Sequence, residues 1–210
     1  MAYAVKEMFY SLQGEGRHAG RPAVFCRFAG CNLWSGRERD RATAACSFCD
    51  TDFVGVNGEG GGRFSSAEAL AEAISAMWGG AGGQRFAVLT GGEPLLQVDD
   101  HLVRALHERD FEIALETNGS LPAPSAIDWI TVSPKGQTPL VQTTGHELKL
   151  VFPQKGIDPS AFEGLAFRHH LLQPMDGPDV EANTQAAIAY CLQHTRWRLS
   201  LQTHKFMGIR

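Results

Sequence analysis

Short apolar runs that recur along the chain, with helical patterns between several of them, constrain the fold most strongly. We predict buried or half-buried strands at residues 23–30, 86–92, 113–119, 129–135, 147–152, 169–174 and 197–204. We predict helices at residues 65–78, 97–110 and 180–195. Strands that alternate with helices pair in parallel, so the pattern predicts an α/β fold with a mostly parallel sheet.

The connections indicate a barrel that does not complete its circle. The link between the runs at 113–119 and 129–135 is short and holds Pro122 and Pro124, so it has no room for a helix. A complete eightfold β/α barrel usually takes about 250 residues, and this chain has 210. We therefore predict an incomplete TIM-like β/α barrel, formed by one domain that spans residues 1–210. Ser65 and Glu68 have the spacing of a capping box for the first helix.

Composition and charge exclude several classes of protein. A net charge of -4 and a pI near 6.0 argue against a protein that binds nucleic acid through bulk positive charge. No apolar run in the sequence approaches the ~20 residues of a membrane-spanning helix, and the first residues lack the apolar core of a signal peptide. We therefore expect a cytoplasmic protein that binds neither nucleic acid nor membranes.

Polar residues follow five of the predicted strands. They are Thr90 to Glu93, Glu116 to Asn118, Ser133 to Lys135, Gln173 with Pro174, and Gln202 to His204. Ligands of parallel α/β sheets and barrels bind at the carboxyl ends of the strands. The five groups together therefore predict one shared site.

Three of the five cysteines lie close together in the sequence. Fourteen residues separate Cys31 from Cys46, and two separate Cys46 from Cys49. An odd number of cysteines in a chain that can fold without them favours metal or redox chemistry over disulfides. Cys26 and Cys191 have apolar neighbours and are predicted core residues. The residues alone leave open both a zinc site, which would need a fourth ligand, and an iron–sulfur cluster.

Without residues 35–45, the cysteine segment reads Cys-x3-Cys-x2-Cys directly after the first predicted strand, and it resembles the radical S-adenosylmethionine superfamily. The stretch "LTGGEP" at residues 89–94 is similar to the GGE motif of that superfamily. Its glycines permit a close backbone approach to a ligand, and Glu93 can accept a bond from the ligand's ammonium. We expect the charged insertion at 35–45 to form a solvated surface helix that loops out while its ends stay together.

Further stretches of the sequence indicate which family of the superfamily the chain resembles. "SLQGEG" and "FCRFAGCNLW" precede the cysteines, "CDT" closes them, and "HKFMGIR" ends the sequence. Together they resemble the 7-carboxy-7-deazaguanine synthase family over nearly the whole chain. The resemblance implies a [4Fe-4S] cluster, S-adenosylmethionine, Mg2+ and a homodimer. It also implies a radical ring contraction of 6-carboxy-5,6,7,8-tetrahydropterin to 7-carboxy-7-deazaguanine, with loss of ammonia, in the route to 7-deazapurines such as queuosine.

The resemblance assigns roles to individual residues. The catalytic iron–sulfur cluster is expected on Cys31, Cys46 and Cys49. S-adenosylmethionine is expected at Phe48, Gly92, Glu93, Ser133, Pro134, Lys135, Gln173, Pro174, Met175 and Asp176, with Glu116 and Asn118 as additional candidates. The pterin is expected at Leu12, Gln13, Gly14, Glu15, Arg27, Thr90, His204 and Arg210. Arg27 can pair with the pterin carboxylate in a bidentate manner, and Thr51 matches the family's Mg2+ position.

Two other readings and one partner remain open. A glycyl-radical activating enzyme would use the same cluster, but it leaves "SLQGEG" and Arg27 unexplained. A zinc-stabilised, non-enzymatic α/β binding protein leaves "GGEP" unexplained. Arg37, Arg39 and Arg41 of the insertion could form a docking surface for an acidic electron donor such as flavodoxin.

Overall fold

The structure, a computed structural model, describes residues 2–136 and 138–210. The described strands are β1 (Tyr3–Leu12), β2 (Pro22–Phe28), β3 (Gly62–Phe64), β4 (Arg85–Gly91), β5 (Phe111–Thr117), β6 (Trp129–Val132), β7 (Thr144–Phe152), β8 (Ala166–Pro174) and β9 (Trp197–Leu199). The described α-helices are α1 (Ala67–Ala76), α2 (Asp100–His107), α3 (Val180–Gln193) and α4 (Thr203–Met207). Short 3-10 helices span Gly16–His18, Glu38–Thr43, Pro94–Leu96 and Pro159–Phe162.

The strands form one sheet in the order β3-β1-β2-β4-β5-β6-β7-β8-β9. Neighbours from β2 to β9 pair in parallel, whereas β1 runs antiparallel to both β2 and β3. This open and mostly parallel sheet confirms the predicted incomplete barrel. Both edge strands, β3 and β9, are only three residues long, and short edges present few unpaired backbone groups to other chains.

The structure corrects several local predictions. Strands β1 and β3 were not predicted, and the predicted strand at 197–204 ends at Leu199 and is followed by α4. The predicted capping box is wrong, because the side chain of Ser66, not Ser65, accepts a hydrogen bond from the backbone nitrogen of Ala69 at 3.2 Å. The other predicted strands and the three predicted helices are present, with ends that shift by a few residues.

Apolar side chains form the main core on one face of the sheet. Helices α1 and α2 pack there against a cluster from β1, β2, β4 and β5 that includes the fully buried Val24, Leu89 and Ile113. Burial of one such side chain contributes roughly 1.5–3 kcal/mol. Cys26 lies in this cluster and is a core residue as predicted, whereas Cys191 is only partly buried and packs against a second cluster beneath α3.

The opposite face of the sheet changes from aromatic to polar along the strands. Phe9, Phe25 and Phe86 form a small buried cluster on this face. Nearer the carboxyl ends, polar side chains alternate with buried apolar residues and so point to the same side of the sheet. These polar residues are Arg27, Thr90, Glu116, Thr131, Lys149 and Gln173. The alternation places charged and polar groups together where the strands end.

The described helices include none that combines the length and the apolar character needed to cross a lipid bilayer.

Candidate active site

Two adjoining cavities lie at the carboxyl ends of the strands. We call the first the cysteine cavity, because Cys31, Cys46 and Cys49 line it, and the second the arginine cavity, because Arg27 and Arg210 line it. Their shared lining residues are Glu15, Asp50, Thr51, Thr90, Glu116 and Gln202. The five predicted strand ends all contribute to the cysteine cavity, which confirms that they converge on one place.

The long spacing between Cys31 and Cys46 is accommodated by a loop whose ends meet. The backbone nitrogen of Cys46 donates a hydrogen bond to the carbonyl of Leu33 at 3.4 Å. Between these points, residues 38–43 form a 3-10 helix without buried residues. The expectation that the insertion loops out with its ends together is confirmed, although its helix is of the 3-10 type.

The chemistry of the three thiols fits an iron–sulfur cluster. All five cysteines, which lie in the described part of the chain, are free. A hydrogen bond from the Cys46 thiol lowers the pKa of Cys49 to about 6 and raises the pKa of Cys46, while burial raises the pKa of Cys31. Because thiolates are the ligand form of cysteine, the lowered pKa of Cys49 favours ligand binding at this thiol.

The three cysteines are not arranged to bind one metal ion together. Within residues 2–136 and 138–210, no three His, Cys, Asp or Glu side chains are close enough to share one metal ion. The cysteines of a [4Fe-4S] cluster each bind a different iron and therefore do not converge on one point.

The two glycines of "LTGGEP" bring the end of β4 against the segment that precedes Cys31. A Cβ atom on Gly92 would lie 1.9 Å from the carbonyl oxygen of Gly30, and Gly91 has a φ of 109°. In this close contact, the nitrogen of Gly92 donates to Phe28 at 3.1 Å and the nitrogen of Glu93 donates to Gly30 at 2.9 Å. The glycines therefore fix the position of a cluster cysteine relative to the strand end.

The carboxylate of Glu93 is held inside the protein. Glu93 is fully buried, and its oxygens accept hydrogen bonds from the nitrogens of Leu95 at 2.9 Å and Asn118 at 2.8 Å and from the Thr117 hydroxyl at 2.8 Å. Burial outweighs these bonds and raises the pKa of Glu93. Its contact with a ligand's ammonium stays a prediction, and its visible role is to position the loops after β4 and β5.

Most of the residues predicted to bind S-adenosylmethionine surround the cysteine cavity. Those that line it are Phe48, Gly92, Ser133, Lys135, Gln173, Pro174, Met175 and Asp176, together with Glu116 and Asn118. Pro134 is buried behind this lining, where its carbonyl accepts a hydrogen bond from Gln154 at 3.4 Å. Burial lowers the pKa of Lys135, whose ammonium donates to the Ser133 carbonyl at 2.8 Å.

All of the residues predicted to bind the pterin line the arginine cavity, namely Leu12, Gln13, Gly14, Glu15, Arg27, Thr90, His204 and Arg210. The guanidinium carbons of Arg27 and Arg210 lie 5.3 Å and 4.9 Å from the ring centre of Phe9. Both guanidinium groups also pair with Glu7, at 3.5 Å and 2.7 Å. Two cations that flank one aromatic ring suit a planar anionic ligand.

The C-terminal helix α4 packs directly on the loop that contains Gly14. The nitrogen and the hydroxyl of Thr203 donate to the carbonyl of Gly14 at 2.9 Å and 2.8 Å. A Cβ atom on Gly14 would lie 2.2 Å from Nδ1 of His204. This contact explains why "QGEG" carries a glycine there, and it places His204 against the arginine cavity.

Two lysines that were not predicted as site residues, Lys149 and Lys205, connect the two cavities. The ammonium of Lys149 contacts the carboxylate of Glu15, and it lies 3.4 Å from that of Glu116. The ammonium of Lys205 joins Asp50, at 2.7 Å, to Asp176, at 2.6 Å. The hydrogen bond from Lys205 lowers the pKa of Asp176. A lysine between two leucines in the run at 147–152 was the one available signal for Lys149.

The arginines of the insertion differ from the predicted docking surface. Arg41 donates to the backbone carbonyls of Ser47 and Cys49, both at 3.0 Å, and lies 4.1 Å from the ring centre of Trp34. Its side chain is therefore turned toward the cysteine loop. Arg37 and Arg39 are exposed, so they alone of the three remain candidates for a partner surface.

Known proteins resemble this chain in sequence and in fold. A model of the radical SAM superfamily matches residues 40–136, starting within the insertion. A 7-carboxy-7-deazaguanine synthase from Bordetella pertussis is 64% identical over 209 residues and covers 100% of both chains. One from Bacteroides thetaiotaomicron is 41% identical over 210 residues with the same coverage. The crystal structure of QueE from Escherichia coli has a TM-score of 0.73 at 27% identity and covers 97% of this chain and 95% of that chain.

These relatives do not favour the glycyl-radical activating enzyme or the zinc-stabilised binding protein. Full-length identity above 60% to proteins of one name leaves one assignment. The chain belongs to the 7-carboxy-7-deazaguanine synthase family of the radical SAM superfamily.

Proposed function

We propose that the chain converts 6-carboxy-5,6,7,8-tetrahydropterin to 7-carboxy-7-deazaguanine with loss of ammonia, in the biosynthesis of 7-deazapurines such as queuosine. The observation that carries this proposal is the shared boundary of the two cavities. Residues expected at the cluster and at S-adenosylmethionine surround one cavity, and residues expected at the pterin surround the other. Hydrogen transfer needs reacting atoms about 3–3.5 Å apart, and adjoining cavities allow that approach.

The cofactors would occupy the cysteine cavity. Cys31, Cys46 and Cys49 would hold the [4Fe-4S] cluster, and the predicted residues around the cavity would hold S-adenosylmethionine. When bound, the pair supplies one-electron chemistry that removes a hydrogen atom from a carbon. The chain would bind and orient the cofactors and shield them from water. The ion pairs of Lys205 support this role, because they join Asp50 of the cysteine loop to Asp176 of the loop after β8.

The pterin would occupy the arginine cavity. In the proposal, Arg27 and Arg210 face the pterin carboxylate, and Glu15 accepts hydrogen bonds from the amino edge of the ring. His204 closes the cavity from the side of α4. Both arginines are already oriented by Glu7, so a carboxylate meets a preorganised pair of cations.

We propose that Thr51 is a ligand of Mg2+. Thr51 lines both cavities. Its hydroxyl is an oxygen donor, the type of ligand that Mg2+ prefers. Because one threonine hydroxyl is a small share of an octahedral shell, we propose that the ion binds together with substrate and water.

We propose a single domain over residues 1–210, supported by the one sheet that contains every described strand, with an insertion at 35–45. We also propose a homodimer and an electron donor such as flavodoxin that contacts Arg37 and Arg39. Changing both arginines to Glu should slow turnover with flavodoxin but not with dithionite, and equal slowing with both would remove the docking surface.

Variants that separate the two cavities test the proposed function. Arg27→Met should raise the KM for the tetrahydropterin by about 10-fold or more, equivalent to about 1.4 kcal/mol of lost charge-assisted bonding. It should leave the binding of S-adenosylmethionine unchanged in an anaerobic titration. Asp176→Ala should weaken the binding of S-adenosylmethionine and leave the KM for the tetrahydropterin unchanged. A change of both ligands' binding by both variants would contradict the division of the site.

A further inference from the structure

Lys149 is a buried cation between the two cavities. It lies on β7 between Leu148 and Leu150, which are fully buried on the helix-covered side, and its own side chain is 6% exposed. An isolated ammonium in such a place would be strongly unfavourable. Lys149 is stable there because two carboxylates from other parts of the chain, Glu15 and Glu116, surround it.

Each of these carboxylates is held at both oxygens. Lys149 contacts one oxygen of Glu15, and Gln202 donates to the other at 3.0 Å. Lys149 lies 3.4 Å from one oxygen of Glu116, and Gln13 donates to the other at 3.1 Å. The orientation of both carboxylates is therefore fixed before a ligand arrives.

We propose that Lys149 is a positioning residue for the pterin: through its contacts with Glu15 and Glu116 it aims the two carboxylates at the N–H groups of the bound ring. This inference rests on the proposed function. A 2-amino-4-oxopyrimidine ring presents neighbouring N–H donors, and an ionised carboxylate accepts such a pair with favourable geometry. Without the ammonium, two carboxylates in one buried site would repel each other, and one of them would take up a proton.

The charges around the pair support this role. Burial alone would raise the pKa of Glu15, but the Lys149 ammonium, with hydrogen bonds from Lys149 and Gln202, lowers it to about 2. Other charged or titratable groups that face the pair are Glu147 from β7, His204 from α4, Lys135 after β6, and Asp50 from the cysteine loop. These four are the same in every variant considered below, so a difference between variants reports on Lys149.

The test is the pH dependence of pterin binding to the anaerobic, cluster-loaded protein between pH 5.5 and 7.5. The probe is 6-carboxypterin, an oxidised analogue without a hydrogen to abstract at C6, and binding is followed by its fluorescence. The variants are Lys149→Met, which removes the charge, and Lys149→Arg, which keeps it. Lys155→Met, in an exposed loop, is the matched control.

Loss of the charge should make binding sensitive to acid. In Lys149→Met the raised pKa of the carboxylate pair means that the ionised form is lost as pH falls. The Kd should therefore rise toward low pH relative to wild type, by up to about tenfold per pH unit below that pKa. Lys149→Arg and Lys155→Met should run parallel to wild type across the range. If Lys149→Met does not fold, Lys149→Gln, which can donate a hydrogen bond but has no charge, should show the same acid sensitivity.

Parallel pH profiles for wild type and the uncharged variants would overturn the inference, as would an acid-sensitive Lys149→Arg. The proposed function has its own arm of the experiment. Wild-type protein that binds no pterin and turns over no tetrahydropterin would contradict the proposed function and the inference with it. Wild-type protein that binds and turns over the pterin, beside pH-independent variants, would contradict the inference alone.

Discussion

A guanidinium nitrogen of Arg41 lies 3.0 Å from the carbonyl oxygen of Cys49, so the insertion that separates the first two cysteines also fastens the last one. The same nitrogen donates to Ser47 at 3.0 Å, and the guanidinium stacks 4.1 Å from the centre of the Trp34 ring. The insertion therefore lengthens the spacing between Cys31 and Cys46 and also supplies the contacts of Arg41 that hold the cysteine loop in place.

Replacing Arg41 with Ala should loosen the cysteine loop. Two hydrogen bonds from a charged donor and one cation–π contact are lost, and the free energy of unfolding of the cluster-free protein should fall by about 1–3 kcal/mol. Iron retained per chain after anaerobic reconstitution should fall as well. Arg39→Ala, whose side chain is 72% exposed, is the control. Equal iron content in the two variants would show that Arg41 does not hold the loop.

A methyl group at Gly92 should be far more harmful than one at Gly82. At Gly92 it would meet the carbonyl oxygen of Gly30 at 1.9 Å, whereas at Gly82 it would meet nothing within 4 Å. Gly92→Ala must shift the backbone before Cys31 and should destabilise the protein by about 3 kcal/mol or more. Gly82→Ala should stay within about 1 kcal/mol of wild type. Urea unfolding of both variants measures the difference, and similar midpoints would contradict the close packing.

Gly14→Ala should separate α4 from the arginine cavity. The added methyl group would lie 2.2 Å from Nδ1 and 2.7 Å from Cβ of His204, so the helix rather than a flexible side-chain tip must move. We expect the KM for the tetrahydropterin to rise at least several-fold, while S-adenosylmethionine binding stays unchanged. Steady-state kinetics and an anaerobic titration provide the two values. An unaltered KM would show that contact between α4 and the Gly14 loop is dispensable.

The ion pair between Arg21 and Glu112 should make a part of the stability depend on pH. Two nitrogens of Arg21 lie 2.9 Å and 2.6 Å from the two oxygens of Glu112, and hydrogen bonding to Arg21 lowers the pKa of that carboxyl. A depressed pKa adds stability above the unfolded-state value near 4.3, and this stability is lost as pH falls through the folded-state pKa. After screening by solvent we expect about 0.5–1 kcal/mol.

The variant Glu112→Gln isolates this contribution. Wild type should exceed it in free energy of unfolding at pH 6, and the difference should shrink as pH falls below about 4. Chemical unfolding of the cluster-free proteins at several pH values gives the comparison. A difference that persists unchanged at pH 3 would assign the effect to packing of Arg21 on Phe86 instead.

The parallel part of the sheet could be predicted because its strands are continuous apolar runs separated by helical patterns. Strand β1 could not be predicted. Its register shifts between Val5 and Glu7, and the shift interrupts the alternation of apolar and polar residues that indicates a half-buried strand. The polar end of the predicted strand at 197–204 forms α4 because Thr203 bonds to Gly14, a contact 189 residues away in sequence.

The candidate site also contains residues that could be predicted from the sequence and residues that could not. Residues with a local motif, such as the cysteines, "GGEP" and "QGEG", were predictable, and the structure brings them together around two cavities. Lys149 was not, because its partners Glu15 and Glu116 are 134 and 33 residues away in sequence. The burial of Glu93 also could not be foreseen, since it depends on donors from Thr117, at the end of β5, and from Asn118, which follows it.

The most direct test of the account is one anaerobic reaction that contains the purified protein, S-adenosylmethionine, Mg2+, dithionite and 6-carboxy-5,6,7,8-tetrahydropterin. Products are identified by mass spectrometry, and iron content is measured on the same sample. We predict that a brown, iron-containing protein forms 7-carboxy-7-deazaguanine and ammonia. Cleavage of S-adenosylmethionine with the pterin left intact would contradict the assignment of the arginine cavity to this substrate.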